Sequence, residues 1–233
     1  MTTDKLIIKP NTPFLIGCVG RARHGKGTLA NILLKWVFSA NVLQQRAHII
    51  SFADPLKDFL TSLIGRAEPF RGDSTERSTP IPELSWWDLT SDIRYEAEKT
   101  WPEQDFKLNP TGRQLMQIFG TNVVRRRFCY DTWVRIAESR AKNFNGVTVI
   151  DDVRFPNEAL RYVESYKLEQ RFNLLFKVVR PGVPNIDHES EDAVDTIQLD
   201  AFDAIFVNDS DVKALEKQVL RWLNVHAHID QGY

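Results

Sequence analysis

Residues 20–28 read Gly-Arg-Ala-Arg-His-Gly-Lys-Gly-Thr, and these residue types at this spacing are suited to binding phosphate. The glycines allow successive backbone N–H groups to point inward around an anion, and Lys26 adds a mobile positive charge. The pattern Gly-x-x-x-x-Gly-Lys is that of a phosphate-binding P-loop. The hydroxyl that commonly follows the lysine comes one place later, at Thr28, because Gly27 intervenes. The candidate nucleotide contacts are Gly20, His24, Gly25, Lys26, Gly27 and Thr28.

The segments on either side of this loop have the patterns that a P-loop needs. Phe14–Val19 is a continuous apolar run, as expected of a strand that is covered on both faces. After the loop, apolar residues recur with helical spacing at Leu29, Ile32, Leu33, Trp36 and Val37. A glycine-rich turn that only caps a helix is the alternative, and the buried strand before the loop favours the phosphate site.

Strand and helix patterns alternate along the remaining chain. Further strands are predicted at residues 48–52, 147–150, 174–179 and 204–207, with a short edge strand or lead-in at residues 6–8. Helices are predicted from Asp54 as N-cap, at residues 113–121, 131–142 and 156–170, and after residue 210. This alternation predicts an α/β fold with a doubly wound parallel sheet of about five strands.

The domain prediction is a single domain over residues 1–233 that carries an insertion at residues 65–112. Prolines punctuate the insertion, and its tryptophans stand among charged residues. We expect a partly helical subdomain, either a packing flap with its own tryptophan core or a cover on the substrate side, since long insertions often serve as lids.

Charged residues follow the predicted strands where ligands bind in open α/β sheets. Asp151 and Asp152 follow the strand at 147–150, and side-chain alternation predicts that only one of them faces the site. A solvated strand end is the alternative for this pair. Arg154 could grip a phosphate with two parallel hydrogen bonds. Lys57 and Arg113 are further candidate cations, or else ordinary surface charges.

Composition argues against several classes of protein. The 233 residues are 42% hydrophobic and carry a formal net charge of −1, so nothing indicates a nucleic-acid-binding surface. No apolar stretch approaches a membrane span, and the N-terminus lacks the apolar region of a signal peptide. Two cysteines fit a reducing cytoplasm better than a disulfide framework.

Several short motifs follow one another in a recognisable order. They are residues 20–28, Asp54–Lys57, Arg113–Thr121, Trp133-Val134, Asp152–Arg154, Val178–Gly182 with His188 and Glu191 downstream, and Asn208-Asp209. Together they resemble the bacteriophage-type deoxynucleoside monophosphate kinases over nearly the whole chain except residues 65–112. The resemblance implies a P-loop kinase fold and phosphoryl transfer from ATP, with Mg²⁺, to a deoxynucleoside 5′-monophosphate. It also suggests a homodimer and, for a phage protein, the host cytoplasm.

The resemblance also implies roles for particular residues. Lys26, Asp152 and Arg154 would be catalytic, and Asp152 and Thr28 would hold the metal. Arg180 and Asn208 would contact ATP, Arg180 in a lid region with His188 and Asn208 near the adenine. The implied substrate contacts are Asp54, Lys57, Arg113, Gln117, Trp133, Asp151 and Arg154. Trp133 could stack on the base, or lie in the core instead.

Two other functions fit the motifs. One is a different small-molecule P-loop kinase, resembling the phosphomevalonate or dephospho-coenzyme A kinases. The other is a protein that binds ATP as a structural or regulatory ligand and transfers nothing. Against the latter, a switch or scaffold would not need a second cluster of cations opposite the P-loop.

Overall fold

Five strands form one all-parallel sheet in the computed structural model, which describes residues 6–8, 14–39, 46–160, 173–184 and 189–229. In this sheet the strands lie in the order β3-β4-β2-β5-β6, with the P-loop strand β2 at the centre. A separate parallel pair is formed by β1 and β7. The strands are β1 (Leu6–Ile8), β2 (Phe14–Val19), β3 (Arg46–Ile50), β4 (Gly146–Val153), β5 (Asn173–Val179), β6 (Ala204–Val207) and β7 (Ala227–Ile229). The predicted parallel α/β sheet of about five strands is confirmed.

The chain divides into two compact units, Met1–Phe52 with Ala137–Tyr233, and Ala53–Ile136. We call the first the sheet unit and the second the helical unit. The helices in chain order are α1 (Lys26–Ser39), α2 (Asp54–Ile64), α3 (Glu68–Arg71), α4 (Ser91–Thr100), α5 (Gly112–Gln117), a π-helix (Ile118–Phe128), α6 (Thr132–Lys142), α7 (Glu189–Thr196) and α8 (Val212–His226). Residues 156–160 are also helical, and the rest of the helix predicted to 170 lies outside the described residues.

The core of the sheet unit fixes the strand that leads into the P-loop. Ile16 and Cys18 of β2 are fully buried, and α1 packs its predicted apolar face against β3 and β4. Helix α8 packs in turn on α1. Full burial of a side chain such as Leu33 contributes about 2 kcal/mol. The start of the P-loop is therefore attached to the buried core of the unit.

The helical unit contains two apolar clusters of its own. One is centred on Leu56, Leu60, Phe70, Ile81 and Leu115. In the other, Trp86 is 1% exposed and packs on Trp101 and Phe106, with ring centroids 5.8 and 5.0 Å away. Residues 65–112 thus contribute tryptophan to an apolar cluster of this unit.

Several predicted element boundaries were wrong. Strand β3 begins at Arg46 and ends at Ile50, and β4 continues through Val153, so both aspartates lie within the strand. The helix predicted to end near Gly120 continues as the π-helix to Phe128. π-Helical segments are rare and often occur near functional sites.

Asp54 was predicted as the N-cap of α2, and this prediction was wrong. The N-cap is Ala53, which has helical backbone angles and makes no side-chain cap, and Asp54 is the first helical residue. Phe59 and Leu63 share the apolar helical spacing of α2 with the buried Leu56 and Leu60, yet each is 53% exposed. The helical periodicity of apolar residues predicts which face of a helix is apolar. How many of those residues are buried depends on what packs against that face.

Two further properties concern the described residues alone. None of their helices combines the length and the apolar character that crossing a membrane requires. Cys18 and Cys129 are both free thiols, and burial raises the pKa of the Cys18 thiol.

Candidate active site

The backbone of residues 20–28 contains two residues in the left-handed region, a feature of anion-binding loops. Arg23 and Gly25 both have left-handed backbone angles, with φ of 63° and 104°. Such residues between right-handed ones turn successive N–H groups toward one point. A left-handed arginine is unfavourable, and strain of this kind is concentrated at functional sites. A Cβ atom at Gly20 would lie 2.6 Å from the carbonyl oxygen of Val178, so only glycine fits there.

Asn208, after β6, supports this loop. Its buried side chain donates a hydrogen bond from Nδ2 to the carbonyl oxygen of His24 at 3.0 Å. A Cβ atom at Gly25 would lie 2.6 Å from the same Nδ2 atom. His24 is buried as well, and burial lowers the pKa of its imidazole. Contact of Asn208 with adenine stays a prediction, and the contact observed is with the P-loop backbone.

Lys26 is buried at the first position of α1, and its amine is held by the loop itself. Nζ donates hydrogen bonds to the carbonyl oxygens of Gly20 and Arg21 at 2.7 and 2.8 Å. The pKa of Lys26 is lowered to about 8, first by burial and then by the positive charge of Arg154. The carboxylates of Glu191, Asp152 and Asp151 act in the opposite direction. All four charged side chains therefore lie close enough to Lys26 to affect its charge.

This pKa predicts how the stability of the nucleotide-free, metal-free protein changes with pH. The unfolded state binds the proton of Lys26 more tightly than the folded state, because the folded pKa is about 8 and the unfolded pKa about 10.5. The cost to folding is fully present below pH 8 and is relieved as pH rises from there toward about 10.5. We expect the free energy of unfolding of the wild type, relative to Lys26→Met, to rise by a few kcal/mol over this interval. Urea unfolding of both proteins in EDTA at several pH values would measure the difference, and parallel curves would contradict it.

A β-bulge in β4 contains both of its candidate aspartates. Ile150 pairs with Gly17 and Val153 with Val19, so Asp151 and Asp152 together face the single residue Cys18. The extra residue interrupts side-chain alternation. The Oδ1 atom of Asp151 accepts a hydrogen bond from the Ser51 hydroxyl at 2.5 Å. The regular alternation behind the prediction that only one of the pair faces the site is therefore broken here, both carboxylates raise the pKa of Lys26, and which of them faces the site stays a prediction.

Asp152 is held by the backbone that follows β3. Its Oδ1 accepts a hydrogen bond from the backbone N–H of Phe52 at 2.6 Å. Mg²⁺ in kinases is bound by one or two carboxylates together with substrate phosphates and waters. Among the described residues no group of three or more His, Cys, Asp or Glu side chains could hold a metal alone. The two carboxylates beside Lys26 fit the kind of site that is completed by nucleotide phosphates.

Arg154 lies at the centre of a hydrogen-bond network that the sequence did not indicate. Its guanidinium donates from Nη1 to the Ser190 hydroxyl at 3.2 Å and to Oε1 of Glu191. Its backbone N–H donates to Oε2 of Glu158 at 2.7 Å. The other oxygen of Glu191 accepts from the backbone N–H of Ala22, in the P-loop, at 2.6 Å. The motif that contains Glu191 does not by itself indicate a role for this residue.

The predicted substrate contacts on α2 lie in the helical unit. The Lys57 amine is 3.4 Å from Oδ1 of Asp54, and Nη1 of Arg71 is 3.3 Å from the same oxygen. Arg71 also pairs with Asp58. Asp54 is therefore the centre of a cluster of cations on this unit.

The other predicted contacts in the helical unit are Arg113, Gln117 and Trp133. Arg113 and Gln117 are half-buried on α5. Trp133 donates from Nε1 to the carbonyl oxygen of Gly120 at 3.0 Å and packs on the cluster centred on Leu60. This packing fits the core role for Trp133, and base stacking stays a prediction.

The remaining candidate residues lie in the first turn of α1 or after β5. Thr28 is half-buried and Gly27 is exposed on the first turn of α1. Arg180 is exposed just after β5. His188, with the lid predicted around it, lies outside the described residues.

Two curated proteins match most of the chain, although no protein-family model matches it. A deoxynucleoside-5′-monophosphate kinase of Escherichia phage T5 is 28% identical over 219 residues, covering 77% of this chain and 84% of that protein. A protein of Acanthamoeba polyphaga mimivirus, named provisionally as a deoxynucleotide monophosphate kinase, is 28% identical over 212 residues, covering 88% and 94%. The resemblance that the motifs predict is confirmed. A solved structure, described provisionally as a kinase of Chloroflexus aurantiacus, has a TM-score of 0.36 and 12% identity over 93% of this chain and 99% of its own, which says nothing about activity.

Proposed function

We propose that this protein transfers the γ-phosphoryl group of ATP to a deoxynucleoside 5′-monophosphate and releases ADP and the diphosphate. The observation that carries the proposal is the position of Arg154 beside the P-loop of Lys26, since one Glu191 carboxylate accepts from both the Arg154 guanidinium and the Ala22 N–H of that loop. Two cations beside an anion-binding loop suit a reaction in which two polyanions meet. The named relatives favour neither of the two alternative functions.

The residues of the sheet unit supply positioning and charge neutralisation. An oxygen of the acceptor phosphate attacks the γ-phosphorus, and the bond from this phosphorus to the β,γ-bridging oxygen breaks, leaving its electron pair on ADP. Lys26 and the backbone N–H groups of residues 23–28 would hold the ATP phosphates. Arg154 would hold the acceptor phosphate or the group in transfer, since its planar fork matches two phosphate oxygens.

Mg²⁺, when bound with ATP, would neutralise charge on the phosphate oxygens. We propose Asp152 and Thr28 as its protein ligands, or as partners of its water shell. Asp152 is supported by its fixed position on the Phe52 N–H and by its proximity to Lys26. Asp151 is the second carboxylate available on the same bulge.

The remaining residue assignments are supported by the resemblance to the bacteriophage-type deoxynucleoside monophosphate kinases. Arg180 and Asn208 would contact ATP. The monophosphate contacts would be Asp54, Lys57, Arg113, Gln117 and Trp133. The same resemblance supports a homodimer that acts in the cytoplasm.

A coupled assay of ADP release with a panel of acceptors tests the function. The panel contains dGMP, dTMP and dCMP, with mevalonate 5-phosphate and dephospho-coenzyme A as the competing acceptors. We expect at least one deoxynucleoside monophosphate to raise the rate well above that without acceptor, with the matching diphosphate found by ion-exchange chromatography. Stimulation by one of the competing acceptors alone would indicate a different small-molecule kinase. Binding of ATP with no stimulated release would indicate a protein that does not transfer phosphate.

A further inference from the structure

Glu191 is a buried carboxylate with both oxygens committed to the site. It is 3% exposed on α7, and it lies 37 residues after Arg154 and 169 after Ala22 in the chain. One oxygen binds the P-loop backbone at Ala22, and the other binds the Arg154 guanidinium. Its charge also raises the pKa of Lys26. One side chain thus joins three parts of the site.

Because Glu191 is buried, its carboxylate depends on its hydrogen bonds for stability. A buried carboxylate is tolerated only when paired and hydrogen-bonded, and both conditions are met by one backbone N–H and one guanidinium. The hydrogen bond from the backbone N–H of the P-loop also fixes the position of the Glu191 carboxylate relative to the loop. The guanidinium on the second oxygen is then held at a defined distance from the P-loop backbone.

Without this constraint, the Arg154 side chain could adopt several alternative rotamers. Its side chain is 30% exposed, and a long flexible arginine at that exposure can adopt many rotamers in water. The Ser190 hydroxyl gives a second contact at 3.2 Å, which a neutral acceptor makes weaker than the charged one. The orientation of Arg154 therefore depends mainly on Glu191.

We propose that Glu191 is a positioning residue, whose carboxylate anchors on the Ala22 N–H and holds the Arg154 guanidinium beside the P-loop for phosphoryl transfer. This proposal rests on the kinase function proposed above. Glu191 acts through Arg154 and needs no contact with either substrate. Misplacing a charged contact by about 1 Å can lower a rate by about 10²-fold.

A double-mutant cycle between Glu191→Gln and Arg154→Ala tests this role. Glutamine keeps the shape, but its amide group turns one accepting oxygen into a donor, so it cannot serve both the N–H and the guanidinium. We expect Glu191→Gln alone to lower kcat/KM for the deoxynucleoside monophosphate by about 10- to 100-fold. In the Arg154→Ala background the same change should cost less than about twofold, since partners that act as a unit are not additive.

The matched control is Asp192→Asn, which removes one negative charge from the same turn of α7 at an exposed position. We expect it to change kcat/KM by less than about twofold. Thermal unfolding of every variant shows whether each is folded at the assay temperature. Losses that multiply in the double variant, or an equal loss in Asp192→Asn, would overturn the positioning role while leaving the kinase function intact. A wild type inactive with every monophosphate would overturn the kinase function, and the positioning role with it.

Glu191→Asp provides a second variant if Glu191→Gln does not fold. Aspartate keeps the charge but is shorter by one methylene, so it cannot reach both Ala22 and Arg154 from the same helix position. We expect Glu191→Asp to lower kcat/KM in the wild-type background and to change it little in the Arg154→Ala background. Full activity of Glu191→Asp would show that charge alone is required, and would overturn the proposed bridging geometry.

Discussion

Replacing Lys26 by methionine should lower kcat by about 10³-fold or more and leave the protein folded. The amine is the single full charge that α1 presents at its first turn to the loop, and phosphoryl transfer depends on neutralising charge on the phosphates. Methionine fills the same volume. Because burial lowers the pKa of Lys26, removing its charge relieves a cost to folding and should not destabilise the protein at neutral pH.

Steady-state rates at saturating ATP and monophosphate would measure this effect, with thermal unfolding as the check on the fold. Lys35→Met is the matched control, because Lys35 lies on the same helix with its side chain exposed. We expect the control to retain wild-type kcat within about twofold. A folded Lys26→Met protein with near wild-type turnover would remove the P-loop from the mechanism.

The elements that carry the P-loop could be predicted because their signals are local. The apolar run Phe14–Val19 has the composition of a strand buried on both faces, and the structure gives it the same bounds. The five apolar positions of α1 recur every three or four residues, and all five are buried. Loop type, strand and helix are each encoded within a few residues, so no knowledge of distant contacts was required.

The parts of the site that could not be predicted depend on residues far apart in the chain. The bulge at Asp151 and Asp152 is a property of how β4 pairs with β2, and strand periodicity alone implies regular alternation. The partners of Glu191 lie 37 and 169 residues away, and no local pattern encodes either distance. Asn208 likewise reaches His24 across 184 residues. An Asn-Asp-Ser sequence reads equally well as a turn.

The bulge makes a second large prediction possible, since it places two carboxylates at one site with different partners. Both carboxylates raise the pKa of Lys26, and Asp152 accepts a hydrogen bond from the backbone N–H of Phe52. Asp151 is bound to the Ser51 hydroxyl and raises the pKa of Cys18, on the neighbouring strand. Asp152 is therefore the better placed of the two to act on phosphates or on their metal.

We expect Asp152→Asn to lower kcat by about 10²- to 10³-fold, and Asp151→Asn to lower it by about tenfold. Asparagine keeps an oxygen that can accept from the Phe52 N–H, so the bulge should persist while the negative charge is lost. Asp152→Asn should also require more Mg²⁺ for half-maximal activity, because a neutral amide binds the ion less well than a carboxylate. Each variant serves as the control for the other, since they remove the same charge from adjacent positions of one strand. A larger loss in Asp151→Asn, with an unchanged Mg²⁺ requirement in Asp152→Asn, would assign the catalytic carboxylate to Asp151.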